Sequence, residues 1–216
     1  DATLGRMFTA LDKSKVPYVV MLTADHGGHD LPERNAIQGL PAAERADIKL
    51  MPQGVGPALA KAFDLPEPAI MGDAPFGDMY LSTKIPAAKR AAVLDAALKH
   101  YRTHPQVEAV ITKDEIAATP SPSGPPEDWS LIQRVRANFD PSRSGDFYVA
   151  LKRYVTPIPN TSFGYVATHG SPWGYDRRVP ILFWWKGVAA YEQPNGIETA
   201  DIMPTLASLI GLDVPK

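Results

Sequence analysis

Cysteine is absent from the 216-residue sequence. That excludes disulfides, thiolate-bound zinc and a cysteine nucleophile within this chain, and it leaves the redox compartment open. Long apolar runs are missing too. The longest, VPYVVMLTA and VPILFWW, fall short of ten residues, whereas a membrane helix needs about 20, so no membrane partner is expected. Nor is there an excess of charge of either sign. The net charge is −2, which offers no electrostatic grip on nucleic acid. Asp1 opens the sequence without a charged-then-apolar leader behind it.

What is present suits a globular fold. Hydrophobic residues make up 44% and charged residues 21%, a balance that argues against disorder. The 22 prolines gather in loops and imply long, stiffened connections. Residues 2–14 predict an amphipathic helix with Leu4, Met7, Phe8 and Leu11 on one face. Val16 to Leu22 is a near-continuous apolar run and predicts a strand buried on both faces. Short strands are expected at Asp78–Leu81, Val107–Thr112 and Asp146–Leu151, and a second buried strand over Val179–Trp185. Helices are expected at 56–63, 87–103, 132–139 and 202–210. The Pro/Ser/Gly segment 118–128 is the strongest break, yet neither side of it carries enough strands to close a core alone. Strands alternate with helices, so the fold class is α/β.

Two segments could carry chemistry. The first is Asp25-His26-Gly27-Gly28, at the C-terminal end of a predicted strand. Ligands of open α/β sheets bind at that edge. A carboxylate and an imidazole are both good zinc ligands, and the two glycines permit a sharp turn. The dipeptide alone serves a turn-capping Asp and an exposed loop His equally well. The second is Thr168-His169-Gly170-Ser171, where a lone His in a Gly-rich loop is more often a surface residue than a ligand. His100 and His104 stand four apart near the end of a predicted helix, but they lack a zincin glutamate, and Pro105 follows. His29 carries no assigned role.

Five segments in order resemble the alkaline phosphatase superfamily: VVMLTADHGG (19–28), YLSTK (80–84), RSGDFYVAL (143–151), THGSPWGYDRRVPILFWW (168–185) and ETADIMPTLASLIGL (198–212). Within it they look most like the monomeric bacterial enzymes with a threonine nucleophile, related to nucleotide pyrophosphatase/phosphodiesterases. The resemblance implies an alkaline phosphatase-like sandwich, with a central, mostly parallel sheet flanked by helices. It implies two zinc ions, with calcium or magnesium as a candidate further ion. Asp25 and His26 match the Asp-His pair that binds one zinc, and His169 matches the late His that binds the other. Two cations about 4 Å apart can polarise a phosphoryl oxygen and stabilise the leaving oxygen of an in-line displacement. Where the family shows His in a Tyr-Asp-x-His-Val-Pro stretch, this sequence has Arg178. That position is not a ligand in this subgroup.

In the family the nucleophile, an early Asp and an Asp-x-x-x-His segment all precede the Asp-His pair. Only 24 residues precede Asp25 here; they contain Asp1, Asp12, Thr3 and Thr9, but no Asp-x-x-x-His segment and no nucleophile turn, Thr9 lying inside the predicted amphipathic helix. Residues 1–216 are therefore expected to be the C-terminal portion of one catalytic domain, inactive alone, with the nucleophile upstream of Asp1. The implied reaction is zinc-dependent hydrolysis of small-molecule phosphate monoesters through a phospho-enzyme, and the implied location is periplasmic or secreted. A phosphodiesterase of the same superfamily shares the ligands, and a fragment with a vestigial site would bind no zinc. A sulfatase would need calcium and an oxidised Cys or Ser, against which the late His-Gly-Ser loop argues.

Overall fold

The computed structural model describes residues 1–213. The chain divides into two compact units, Asp1–Asp25 with Val179 onward, and His26–Arg178. Neither boundary falls in the Pro-rich segment 118–128.

In the first unit α1 (Ala2–Ser14) precedes β1 (Val19–Leu22). The larger unit then supplies α2 (Pro32–Ile37), β2 (Glu44–Arg45), α3 (Pro52–Ala62), β3 (Ile70–Met71), β4 (Gly77–Leu81), α4 (Ala87–Arg102) and β5 (Val107–Thr112). It continues through α5 (Lys113–Ala118), α6 (Leu131–Ala137), β6 (Phe147–Leu151), β7 (Val155–Thr156) and α7 (Gly174–Arg177). The first unit resumes with β8 (Leu182–Trp185) and α8 (Ile202–Leu209).

β1 and β8 pair antiparallel, from Val19 opposite Trp185 to Leu22 opposite Leu182. Trp184 packs on Phe8 and Tyr18, with ring centroids 5.2 and 5.8 Å away. The apolar runs predicted two strands buried on both faces. Instead Leu182 and Trp184 are exposed, and α1 has no buried residue. Side chains on a sheet are buried only where a layer packs on that face, so apolar content alone overstated the burial.

The second unit is built on a sheet of order β3-β4-β6-β5, with every pairing antiparallel. The α/β class holds; the resemblance implies a mostly parallel central sheet for the domain, whereas the strands of this sheet pair antiparallel. β4 and β5 are each antiparallel to β6, hence parallel to one another, and α4 crosses between them. An antiparallel strand has been inserted into the βαβ unit. The only parallel pair among the described residues is the two-residue β2–β7 bridge.

Period-2 alternation along β5 and β6 divides the core. Val110, Phe147, Val149 and Leu151 join Val93, Ala97, Leu98 and Tyr101 of α4 in the main cluster. Ile111 and Tyr148 pack instead with Ile116, Ile132 and Val135 of α5 and α6. The sheet is thus covered on both faces. α5 opens on a capping box made by Thr112 and Glu115, and α6 on one made by Ser130 and Gln133, which satisfies backbone N–H groups that the first helical turn leaves over.

Candidate metal centre

His26 leads into the Gly27 turn, and that turn is held from one side. The Gly27 N–H donates to the Asp176 carbonyl at 2.8 Å. A Cβ on Gly27 would fall 2.1 Å from the Tyr175 carbonyl oxygen and 3.0 Å from that of Arg178, whereas one on Gly28 would meet nothing within 4 Å. The first glycine is therefore required by close backbone approach, and the second is not. His26 Nδ1 lies 2.7 Å from the Gly27 carbonyl. A carbonyl can only accept, so Nδ1 is the donor in this contact.

His169 sits in an exposed loop immediately before Gly170, whose φ of +102° lies in the region that favours glycine. Beyond it the chain becomes firmly anchored. The Ser171 N–H donates to Asp176 Oδ2 at 2.9 Å. Buried Trp173 donates its indole N–H to the Leu151 carbonyl at 2.9 Å, tying the segment to the end of β6. The Tyr175 hydroxyl accepts from the Tyr154 N–H at 3.2 Å. Burial pushes the Tyr175 phenol up, which keeps it protonated.

These two anchored turns bring His26 and His169 together. Their rings stack with centroids 3.4 Å apart and planes 11° from parallel. The stack places two imidazoles from distant parts of the chain side by side. The hydrogen bond at His26 Nδ1 fits a metal ligand, because metal-bound imidazoles usually donate their other N–H to a carbonyl or carboxylate. Two imidazoles are only part of a donor set. A catalytic zinc takes about three protein ligands, and among the described residues no three His, Asp, Glu or Cys are grouped to hold an ion.

The other candidates fall elsewhere. Asp25 lies exposed in the bend after β1, where the first unit gives way to the second. His29 is a packing residue, 4.7 Å edge-on from Tyr175 with its Nδ1 3.3 Å from the Asn35 amide. His100 donates its Nε2–H to the Lys49 carbonyl at 3.0 Å, and His104 faces Asp47 at 3.5 Å, so both tie α4 to the segment after β2. Around α7 the charge is positive. Arg153 lies over Trp173, and Arg177 lies over Trp129. Burial, then the like charges of Arg153 and Arg178, pull the Arg134 guanidinium down. Sequence reasoning missed Asp176, whose only signal is one acidic residue inside the cationic stretch Gly174–Arg178.

No family model matches the chain. Alkaline phosphatase PhoK of Sphingomonas sp is 56% identical over 218 residues, which take in 100% of this chain and 39% of that protein. This chain is related to alkaline phosphatases along its whole length. Alkaline phosphatase PhoD of Zymomonas mobilis is 45% identical over 218 residues, again across 100% of this chain but 38% of the relative. The crystal structure of wild-type alkaline phosphatase PafA superposes with a TM-score of 0.79 at 24% identity, over 100% of this chain and 40% of that one. The fold is accordingly shared with an alkaline phosphatase. The 216 residues span about two fifths of the length of the curated relatives they match.

Proposed function

We propose that this chain supplies part of the two-zinc site of a phosphatase that hydrolyses phosphate monoesters through a phospho-enzyme intermediate. The nucleophile and the remaining ligands come from the portion of the relatives' length that these residues do not span. The observation that supports the reading is the His26–His169 stack, two imidazoles from distant parts of the chain with ring centroids 3.4 Å apart and planes 11° from parallel.

In this reading His26 presents Nε2 to one ion, because its Nδ1–H is engaged by the Gly27 carbonyl, and Asp25 joins it as a ligand of the same ion. His169 holds the other ion through its own ring. Bound zinc polarises the phosphoryl oxygen, lowers the pKa of the attacking hydroxyl and stabilises the leaving oxygen. Arg134, Arg153 and Arg178 contribute a positive field that draws a phosphate ester toward this edge.

Metal analysis of the full-length protein tests the proposal. About two zinc ions per chain are expected. His26→Ala and His169→Ala should each lower the bound zinc by about one ion, and a chelator should abolish hydrolysis of an aryl phosphate. Undiminished zinc in both variants, or turnover indifferent to the chelator, would refute it.

A further inference from the structure

We propose that Asp176 is a positioning residue that sets His26 and His169 in register, by clasping both histidine-bearing turns with a single residue. The clasp serves the proposed metal site, and it rests on that reading for its consequence but not for its geometry.

Asp176 lies in the short helix α7. Its main-chain carbonyl accepts the Gly27 N–H at 2.8 Å. Its side-chain Oδ2 accepts the Ser171 N–H at 2.9 Å. Gly27 follows His26 by one residue, and Ser171 follows His169 by two. One residue thus holds both turns, and the rings they carry meet at 3.4 Å. α7 itself is fixed independently. Trp173 at its start is bonded to Leu151, and Tyr175 is bonded to Tyr154 and stacked on it at 5.3 Å. The clasp is therefore mounted on the end of β6 and need not follow the exposed loop.

The residue type argues that this is more than loop packing. Asp176 is 7% exposed, and its Oδ1 finds no hydrogen-bond partner among the described residues. A buried carboxylate with one idle oxygen is costly. What the clasp needs from the side chain is an acceptor at the Oδ2 position, which Asp supplies here to the Ser171 N–H and which Asn would also supply but Ala would not.

The experiment uses full-length protein labelled with 15N-histidine and stripped of metal. Wild type and Asp176→Asn, which keeps a side-chain acceptor, should show His26 and His169 signals displaced by mutual stacking. Asp176→Ala should move both signals to positions typical of an isolated exposed imidazole. With zinc restored, Asp176→Ala should lose about 10- to 100-fold in kcat/KM, mostly in kcat, while Asp176→Asn stays within about threefold. Unchanged imidazole signals in Asp176→Ala, or equal damage in both variants, overturn the proposal. If Asp176→Ala does not fold, hydrogen exchange in wild type decides. The Gly27 and Ser171 amides should both be protected, and exchange of Ser171 at the unstructured rate overturns the clasp. A protein without zinc would defeat the metal reading and leave the imidazole and exchange readouts to judge Asp176.

Discussion

If the proposed phosphatase reading holds, Gly27→Ala is expected to lower kcat/KM of the full-length protein by about a hundredfold or more, while Gly28→Ala next to it stays close to wild type. The added methyl at position 27 would sit 2.1 Å from the Tyr175 carbonyl oxygen, where ordinary contact begins at 3.4 Å. The obstacle is backbone, so the strain cannot be relieved by turning a side chain. The turn must retreat by more than an ångström, and His26 moves with it, away from His169 and the α7 clasp. A displacement of about 1 Å in a catalytic constellation can cost 10²-fold. At position 28 the methyl meets nothing within 4 Å. Assaying both variants on an aryl phosphate checks the contrast. Full activity in Gly27→Ala would mean that the turn is not held against α7 as described.

His169→Ala is expected to reduce kcat/KM by at least about a thousandfold, because a lost ion forfeits several kcal/mol of transition-state stabilisation and each ~1.4 kcal/mol is a tenfold change in rate. The stability of the metal-free protein should scarcely change. His169 is exposed, and surface truncations usually stay within about 0.5 kcal/mol. A large kinetic loss at constant unfolding midpoint of the metal-free protein is the signature of a ligand rather than of a packing residue. Free imidazole added to the variant should restore part of the rate by occupying the vacated position. Turnover within about threefold of wild type would contradict the assignment.

How much of this was legible in the sequence depends on how local each signal is. α4 is read almost to the residue, because its apolar stripe and the Thr103-His104-Pro105 stop lie within one segment. β5 is equally clear, bounded by Pro105 and by the Thr112 cap. The direction of pairing was not legible. β4, α4 and β5 look like a parallel crossover, and nothing local reveals that β6 enters between them from 35 residues further on. The short bridge β2–β7 was lost in polar sequence for the same reason.

The site divides in the same way. Asp25-His26 and His169 each read as ordinary loop residues, and only the family resemblance joined them across 143 positions. Gly27 was legible as a turn glycine, but its reason is the Tyr175 carbonyl rather than an unusual φ. Asp176 was not legible, since a residue that acts through its main chain and its side chain at once leaves no pattern in sequence.

Zinc-edge anomalous diffraction from crystals of the full-length protein tests the two-cation centre most directly. Two peaks are predicted about 3.5–4 Å apart, one about 2.1 Å from a ring nitrogen of His26 and the other about 2.1 Å from a ring nitrogen of His169. Peaks that leave either ring more than about 4 Å from any zinc, or no peak at this edge at all, would contradict it.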